Sequence, residues 1–307
     1  MPDVDTVFDK LLEEFESGVG PSIEKYVLRY PEHRDDLLDL WVILTVTPPP
    51  TDEELAEAVE VTERRLHRVE QESIRDLLLA ASLGPAMLDR LGEEHDNEAA
   101  EIGAELERIR AVPYTFRGSA PLTFRRIAVY AWIAGVLLTK KAGPGVSRLR
   151  VQKVAYLLEH GLSLGVFQKH AKYRYGPYDP SLTYRDAEPG CLKAKYLTKG
   201  GDDLLRPGPK LTKAMDYARR YLREESVARA FVVHLSSLDQ WTLETLTTVH
   251  ALVAELGPNA DARAVARALK ADAKWGSKLR RGNFTIEMIE DALRILALLR
   301  MTEEQGQ

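Results

Sequence analysis

Seven histidines, one cysteine and an Asp-x-Lys triplet are the residues here whose types could do chemistry. The histidines are His33, His67, His95, His160, His170, His234 and His250. None forms the His-Glu-x-x-His pair that sets two imidazoles on one helical face for zinc hydrolysis, and a single cysteine excludes a cysteine-rich zinc site. His160 and His170 read as structural histidines bracketing a loop. Cys191 follows Pro189-Gly190 and precedes Lys193 and Lys195, cations that would lower its pKa. It has no assigned histidine base, so an inert thiol is expected. Asp272-Ala273-Lys274 has the order of a nuclease's metal-binding acid and lysine but no partner carboxylate upstream, and reads as a solvated helix end. There is no Gly-x-Ser-x-Gly elbow, phosphate-binding Gly-Lys-Ser/Thr loop or dinucleotide glycine pattern. The chain is therefore not expected to be an enzyme, and no cofactor or metal is expected.

A second constellation fits binding better than catalysis. Gln152 and Lys153 lie near the start of an apolar helix that continues through Tyr156. Some twenty residues on come Tyr175-Gly176-Pro177-Tyr178-Asp179, where Pro177 fixes its own φ and pushes Gly176 towards extended geometry. Tyr175 and Tyr178 flank that bend. Two arrangements suit these residues: core aromatics with a snorkelling lysine, or a groove in which Gln152, Lys153, Tyr175, Tyr178 and Asp179 meet a protein partner. In the groove reading Lys153 and Asp179 are exposed charges whose single removal leaves folding nearly unchanged.

This pairing of Gln152-Lys153-x-x-Tyr156 with Tyr175-Gly176-Pro177-Tyr178-Asp179 resembles the Panacea domain family, which includes the SocA-like antitoxins. The resemblance covers about residues 122–225 and extends towards 300. Arg150 stands where the family often has leucine, and Pro189-Gly190 interrupts the following helix. The resemblance implies a regulator that binds a protein stoichiometrically, with a toxin encoded nearby as partner.

Charge divides the chain. Residues 1–112 carry 11 Lys/Arg against 28 Asp/Glu, a net of 11 − 28 = −17. Residues 117–223 carry 21 against 7, a net of 21 − 7 = +14. Such halves attract each other or recruit different partners, and the basic one leaves nucleic-acid binding open as an alternative function. One cysteine permits no intramolecular disulfide, and the acidic N-terminus lacks the apolar core of a signal peptide, so a cytoplasmic setting is expected. The longest apolar run, residues 127–138, is shorter than the roughly 20 residues of a membrane span.

The elements that must position these residues are mainly helical. Residues 1–46 read as an acidic helical module; Ser22-Ile23-Glu24-Lys25-Tyr26 with Arg29-Tyr30-Pro31-Glu32 resembles a leader segment of bacterial signalling proteins, notably some serine/threonine kinases. No kinase catalytic motif follows. After the Pro48–Pro50 linker, residues 51–112 read as a degenerate helix-turn-helix module that resembles small repressor-like domains. Its second helix covers 83–92, and Glu93, Glu94, Asp96 and Glu98 occupy the would-be DNA-reading surface. Residues 122–300 read as the Panacea-like domain. It comprises a core helix over 123–140, short helices over 181–187 and 192–197, a winged-helix-like hairpin of 204–206 with 210–212 around Pro207-Gly208-Pro209, and helices over 215–222, 239–256, 261–270 and 285–299.

Overall fold

A computed structural model describes residues 7, 11, 23–34, 37, 85–112, 120–140, 145–173, 176–200, 204–272, 275 and 284–302. The fold is mainly α, as the sequence predicts. Helices α1 (Ile23–Arg29), α2 (Pro85–Arg110), α3 (Leu122–Lys140) and α4 (Arg148–Leu162) come first. A hairpin of β1 (Ala171–Tyr173) and β2 (Gly176–Tyr178) follows, then short helices α5 (Pro180–Tyr184) and α6 (Ala187–Lys193). A second hairpin, β3 (Leu197–Lys199) and β4 (Leu205–Pro207), leads to α7 (Leu211–Arg219), α8 (Glu225–Ser237), α9 (Gln240–Leu256), α10 (Ala262–Ala271) and α11 (Ile286–Leu298).

Helix α3 is the axis. Every residue from Arg126 to Leu137 is buried, because α4, α6, α7 and α8 all pack around it. It is long and apolar enough to cross a membrane by length and composition, but its apolar surface is covered by the protein itself. The helices around it start where a side chain satisfies the free N–H groups of the first turn. Ser147 accepts from the Arg150 amide, Asp239 from Trp241 and Thr242, Asp261 from Ala264 and Thr285 from Met288.

Three local expectations are corrected. The second hairpin pairs Leu197 with Pro207 and Lys199 with Leu205, so residues 204–206 do not pair with 210–212. Pro207-Gly208-Pro209 is not a tip; the Gly208 amide bonds the Tyr196 carbonyl and the chain enters α7 at Leu211. Pro189-Gly190 does not stop a helix. Pro189 lies in the first turn of α6, where no intrahelical donor is needed, behind an Asp186 cap. Lastly, residues 85–110 form one unbroken helix, so the turn before a recognition helix is absent and Glu93 to Glu98 simply continue α2.

The hydrophobic core runs across the expected boundary at about 112. Ala99, Ile102, Leu106 and Ile109 of α2 share one buried cluster with α3, α4, α8 and α11. The approach to α11 is a backbone contact: a Cβ on Gly103 would stand 2.0 Å from the Leu298 carbonyl oxygen. Arg110 donates to the Arg300 carbonyl, and Arg294 pairs with Asp96. His95 and His234 stack between α2 and α8 with ring centres 4.0 Å apart. Of the acidic leader module, α1 and the buried Val7, Leu11 and Leu37 join the same cluster; residues 51–84 of the second module lie outside the described residues.

Candidate functional site

The constellation picked from sequence assembles, but it faces inward. Gln152 and Lys153 on α4 are both fully buried. The Gln152 amide donates to the Asp179 carbonyl at 2.8 Å and to Thr183 Oγ1 at 2.9 Å, and its oxygen accepts from the Asp179 N–H at 3.2 Å. Lys153 Nζ donates to the Pro177 carbonyl at 2.8 Å. Tyr178 donates its hydroxyl to Thr183 Oγ1 at 2.9 Å, and burial pushes its pKa up. Asp179 caps α5 through Ser181 and meets the Arg126 guanidinium at 2.6 Å with both side chains almost wholly buried. Arg126 also lies 3.0 Å from the Asp186 carboxylate, which burial pushes towards the protonated form. Gly176 is not extended: its φ is +91°, and a Cβ there would meet Thr248 Oγ1 at 2.8 Å and Lys153 Nζ at 2.9 Å.

These contacts correct the expectation of exposed groove charges. A helix-borne amide and ammonium saturate the backbone of the first hairpin, which would otherwise be buried without partners. Gln152, Lys153, Tyr178 and Asp179 therefore hold β2 and α5 against α4. Tyr175 lies outside the described residues. Of the expected set, Tyr156 and Pro177 line an open space. Arg150 acts in the same structural way, its guanidinium donating to the carbonyls of Ser236 and Leu238 at the end of α8.

That space is a cleft of about 740 Å³ between the first hairpin, the C-terminal end of α4, the 163–170 loop and α9. Its floor is formed by Tyr156, His160 and His170, with His250 packed behind Tyr156. Tyr156 and His160 share a face of α4 one turn apart, with rings 4.6 Å apart. His170 meets the Tyr156 ring edge-on at 5.2 Å, and His250 of α9 lies 5.4 Å away with its Nδ1 2.8 Å from the Tyr156 hydroxyl. His170 Nδ1 faces the Phe167 carbonyl at 2.8 Å, so that nitrogen carries the proton. Burial keeps the imidazoles neutral, lowering His170 to about 4 and His250 to about 3, with His160 shifted in the same direction. Burial likewise raises the Tyr156 pKa. The loop over this floor is clasped by Glu159, whose carboxylate accepts the amides of Gly165, Val166 and Phe167.

The remaining candidates are structural. Cys191 is buried and donates to the Ile127 carbonyl; burial raises its pKa, with the Glu188 and Asp186 carboxylates acting in the same direction, so the expected lowering by Lys193 and Lys195 is not seen. Asp272 accepts the Trp275 amide at 2.9 Å and Lys172 at 3.1 Å, while Lys274 lies outside the described residues. No three His, Cys, Asp or Glu side chains among the described residues are placed to hold a metal ion. Sequence reasoning treated His160 and His170 singly and missed their convergence. The i, i+4 spacing of Tyr156 and His160 was a usable signal; nothing local pointed to His250. Compared with protein-family models, curated proteins and solved structures, the chain matches none.

Proposed function

We propose that the chain is a cytoplasmic bacterial regulator of the antitoxin type, which binds a protein partner stoichiometrically and performs no catalysis. One observation carries this reading. The polar groups of the Gln152–Asp179 constellation are used up in internal hydrogen bonds that fix the first hairpin, turning its outer strand β1 towards the cleft mouth. Among the described residues strand β1 pairs on one side only, with β2. An edge of that kind, held rigidly, suits recognition of an extended segment.

The Panacea resemblance makes the partner a toxin encoded beside this chain. The test is co-purification of the product of the adjacent gene with the full chain and with Ala171→Asp, a change at an exposed position on β1. The reading expects rescue from toxicity and co-purification by the unmodified chain. It expects loss of both in the variant, with melting unchanged. Adjacent genes with no toxic product would sink it.

A second reading, a nucleic-acid-binding transcriptional regulator, rests on the basic segment 117–223. Lys213 on α7 and Arg220 just past its end lie 5.7 and 5.9 Å from the centre of the buried Tyr217 ring, and Lys195, Lys199 and Arg219 are exposed nearby in sequence. Exposed cations of this kind suit a phosphate backbone. Binding of a labelled oligonucleotide that weakens steeply with salt supports this reading; no binding at low salt removes it.

A further inference from the structure

We propose that the stacked pair His95 and His234 is an acid-sensitive latch, which holds residues 93–98 of α2 on α8 and releases them when the rings gain protons. The proposal stands independently of the partner-binding reading. Among the described residues, the buried apolar positions of α2 begin at Ala99, and the side-chain contacts ahead of it are polar. His95 stacks on His234 with ring centres 4.0 Å apart and planes tilted by 34°. His95 Nε2 lies 3.0 Å from Ser237 Oγ. The Ser237 hydroxyl gives its own proton to the His234 carbonyl at 2.6 Å, so His95 Nε2 is the donor. His234 Nδ1 faces the Glu98 carboxylate at 3.2 Å. A carboxylate only accepts, so Nδ1 carries the proton and Nε2 keeps its lone pair. The His234 side chain is 0 % exposed, and its Nε2 is buried with no hydrogen-bond partner among the described residues.

A second proton on His234 would have to sit on Nε2, as a buried N–H without an acceptor. One on His95 sets a cation against that ring, and two imidazolium ions stacked 4.0 Å apart repel. Glu98 and Asp96 of α2 favour the cations. Glu98 is half exposed and screened by solvent, however, and Asp96 is already paired with Arg294 of α11. Arg294, which also reaches Asp291, opposes a charge on His95. The last turn of α8, where His234 sits, would favour a cation, yet Arg150 of α4 already donates to its Ser236 and Leu238 carbonyls. Helix α3 meets α8 through Trp132 and Glu225 at the opposite end. Burial prevails, and both rings take up protons less readily than a free imidazole. Lifting residues 93–98 returns the rings to water and lets them charge, so falling pH favours the open form. Ala99, Ile102, Leu106 and Ile109 hold the rest of α2 through apolar contacts that carry no charge, which confines the release to the stretch around His95.

The experiment is amide hydrogen exchange of the full chain, corrected for the intrinsic pH dependence of exchange. Protection of residues 93–98 is expected to fall at least about fivefold between about pH 7.5 and about pH 5. At the lower pH these amides should be at least about tenfold less protected than those of residues 126–137 in α3, because local opening precedes global unfolding. His95→Gln with His234→Asn keeps the donors to Ser237 and Glu98 but removes both titrating rings, and is expected to abolish the fall. The proposal is overturned if protection of residues 93–98 is the same at both pH values. It is overturned equally if they are no less protected than α3, which would mean global unfolding, or if the double variant folds and keeps the full dependence. Should that variant not fold, the imidazole titrations of the unmodified chain decide. Midpoints of His95 and His234 below about 6.5, alongside the local fall in protection, uphold the proposal, and midpoints at or above that value overturn it.

Discussion

Lys153 Nζ lies 2.8 Å from the carbonyl oxygen of Pro177, joining the middle of α4 to the inner strand of the first hairpin entirely out of solvent. A buried ammonium is tolerated only where acceptors surround it, and a buried proline carbonyl needs a donor.

Lys153→Met keeps the aliphatic volume but leaves the Pro177 carbonyl without this donor. The expected loss is about 1–3 kcal/mol, read as a lower urea midpoint. Lys153→Ala adds a cavity and costs more. An unchanged midpoint in both variants would show that the bond contributes nothing.

Asp179→Ala leaves the Arg126 guanidinium, which is 2 % exposed, with Asp186 as its remaining carboxylate. Breaking one side of a buried ion pair costs about 3–5 kcal/mol. The same change removes the cap of α5. Arg126→Met with Asp179→Leu is expected to recover part of the loss, since the charge then left without Arg126 is the carboxylate of Asp186, which is part-exposed. A double variant no more stable than the single one would refute the ion-pair account.

Gly176→Ala forces a residue with a side chain into φ +91° and drives its Cβ against Lys153 Nζ and Thr248 Oγ1. The conformational part alone costs about 1–3 kcal/mol, and Gly176→Val costs more. Thermal melting of both variants beside Gly257→Ala separates strain from crowding. Gly257 has a similar φ of +98° but open space around it. Equal losses at the two sites would mean that crowding at Gly176 is irrelevant.

Acid should weaken the fold before the carboxylates protonate. The folded-state pKa values of His170 and His250, about 4 and about 3, lie below the ordinary 6.5, because burial disfavours the cation; His160 and, for His250, Arg110 act in the same direction. Around His170, Lys153 lowers and Asp179 raises the value. The unfolded chain therefore binds protons first. Stability is full above about pH 6.5 and falls as pH drops towards 4 for His170 and 3 for His250, by about 1.4 kcal/mol per pH unit for each group. His95, lowered by burial and by its stacking partner His234, and His234, lowered by burial, act with the same sign. Urea midpoints are expected to drop from about pH 7.5 to about pH 5, and His170→Gln with His250→Gln should flatten the slope. A flat profile in the unmodified chain would contradict the buried neutral cluster.

Much of the helical frame was legible in the sequence. Asp239, Asp261 and Thr285 announce α9, α10 and α11 because a short oxygen-bearing side chain ahead of an apolar period is itself the cap. The strands were not legible, since three residues are too few to show an alternating pattern, and Pro207-Gly208-Pro209 misdirected the hairpin. At the candidate site the residues were found and their direction was not. Lys153 reads as a surface cation until a backbone carbonyl 24 residues further on is brought to its tip. Nothing local encodes that acceptor.

The unbroken course of α2 decides where this chain can be cut. A fragment beginning at 117, where composition invites a boundary, would strip Ala99, Ile102, Leu106 and Ile109 from α8 and α11 and leave a greasy trench in their place. Such a fragment would stick to chaperones and to itself for reasons unrelated to its positive charge. Dissection of the acidic and basic halves therefore belongs in charge reversals made within the whole chain.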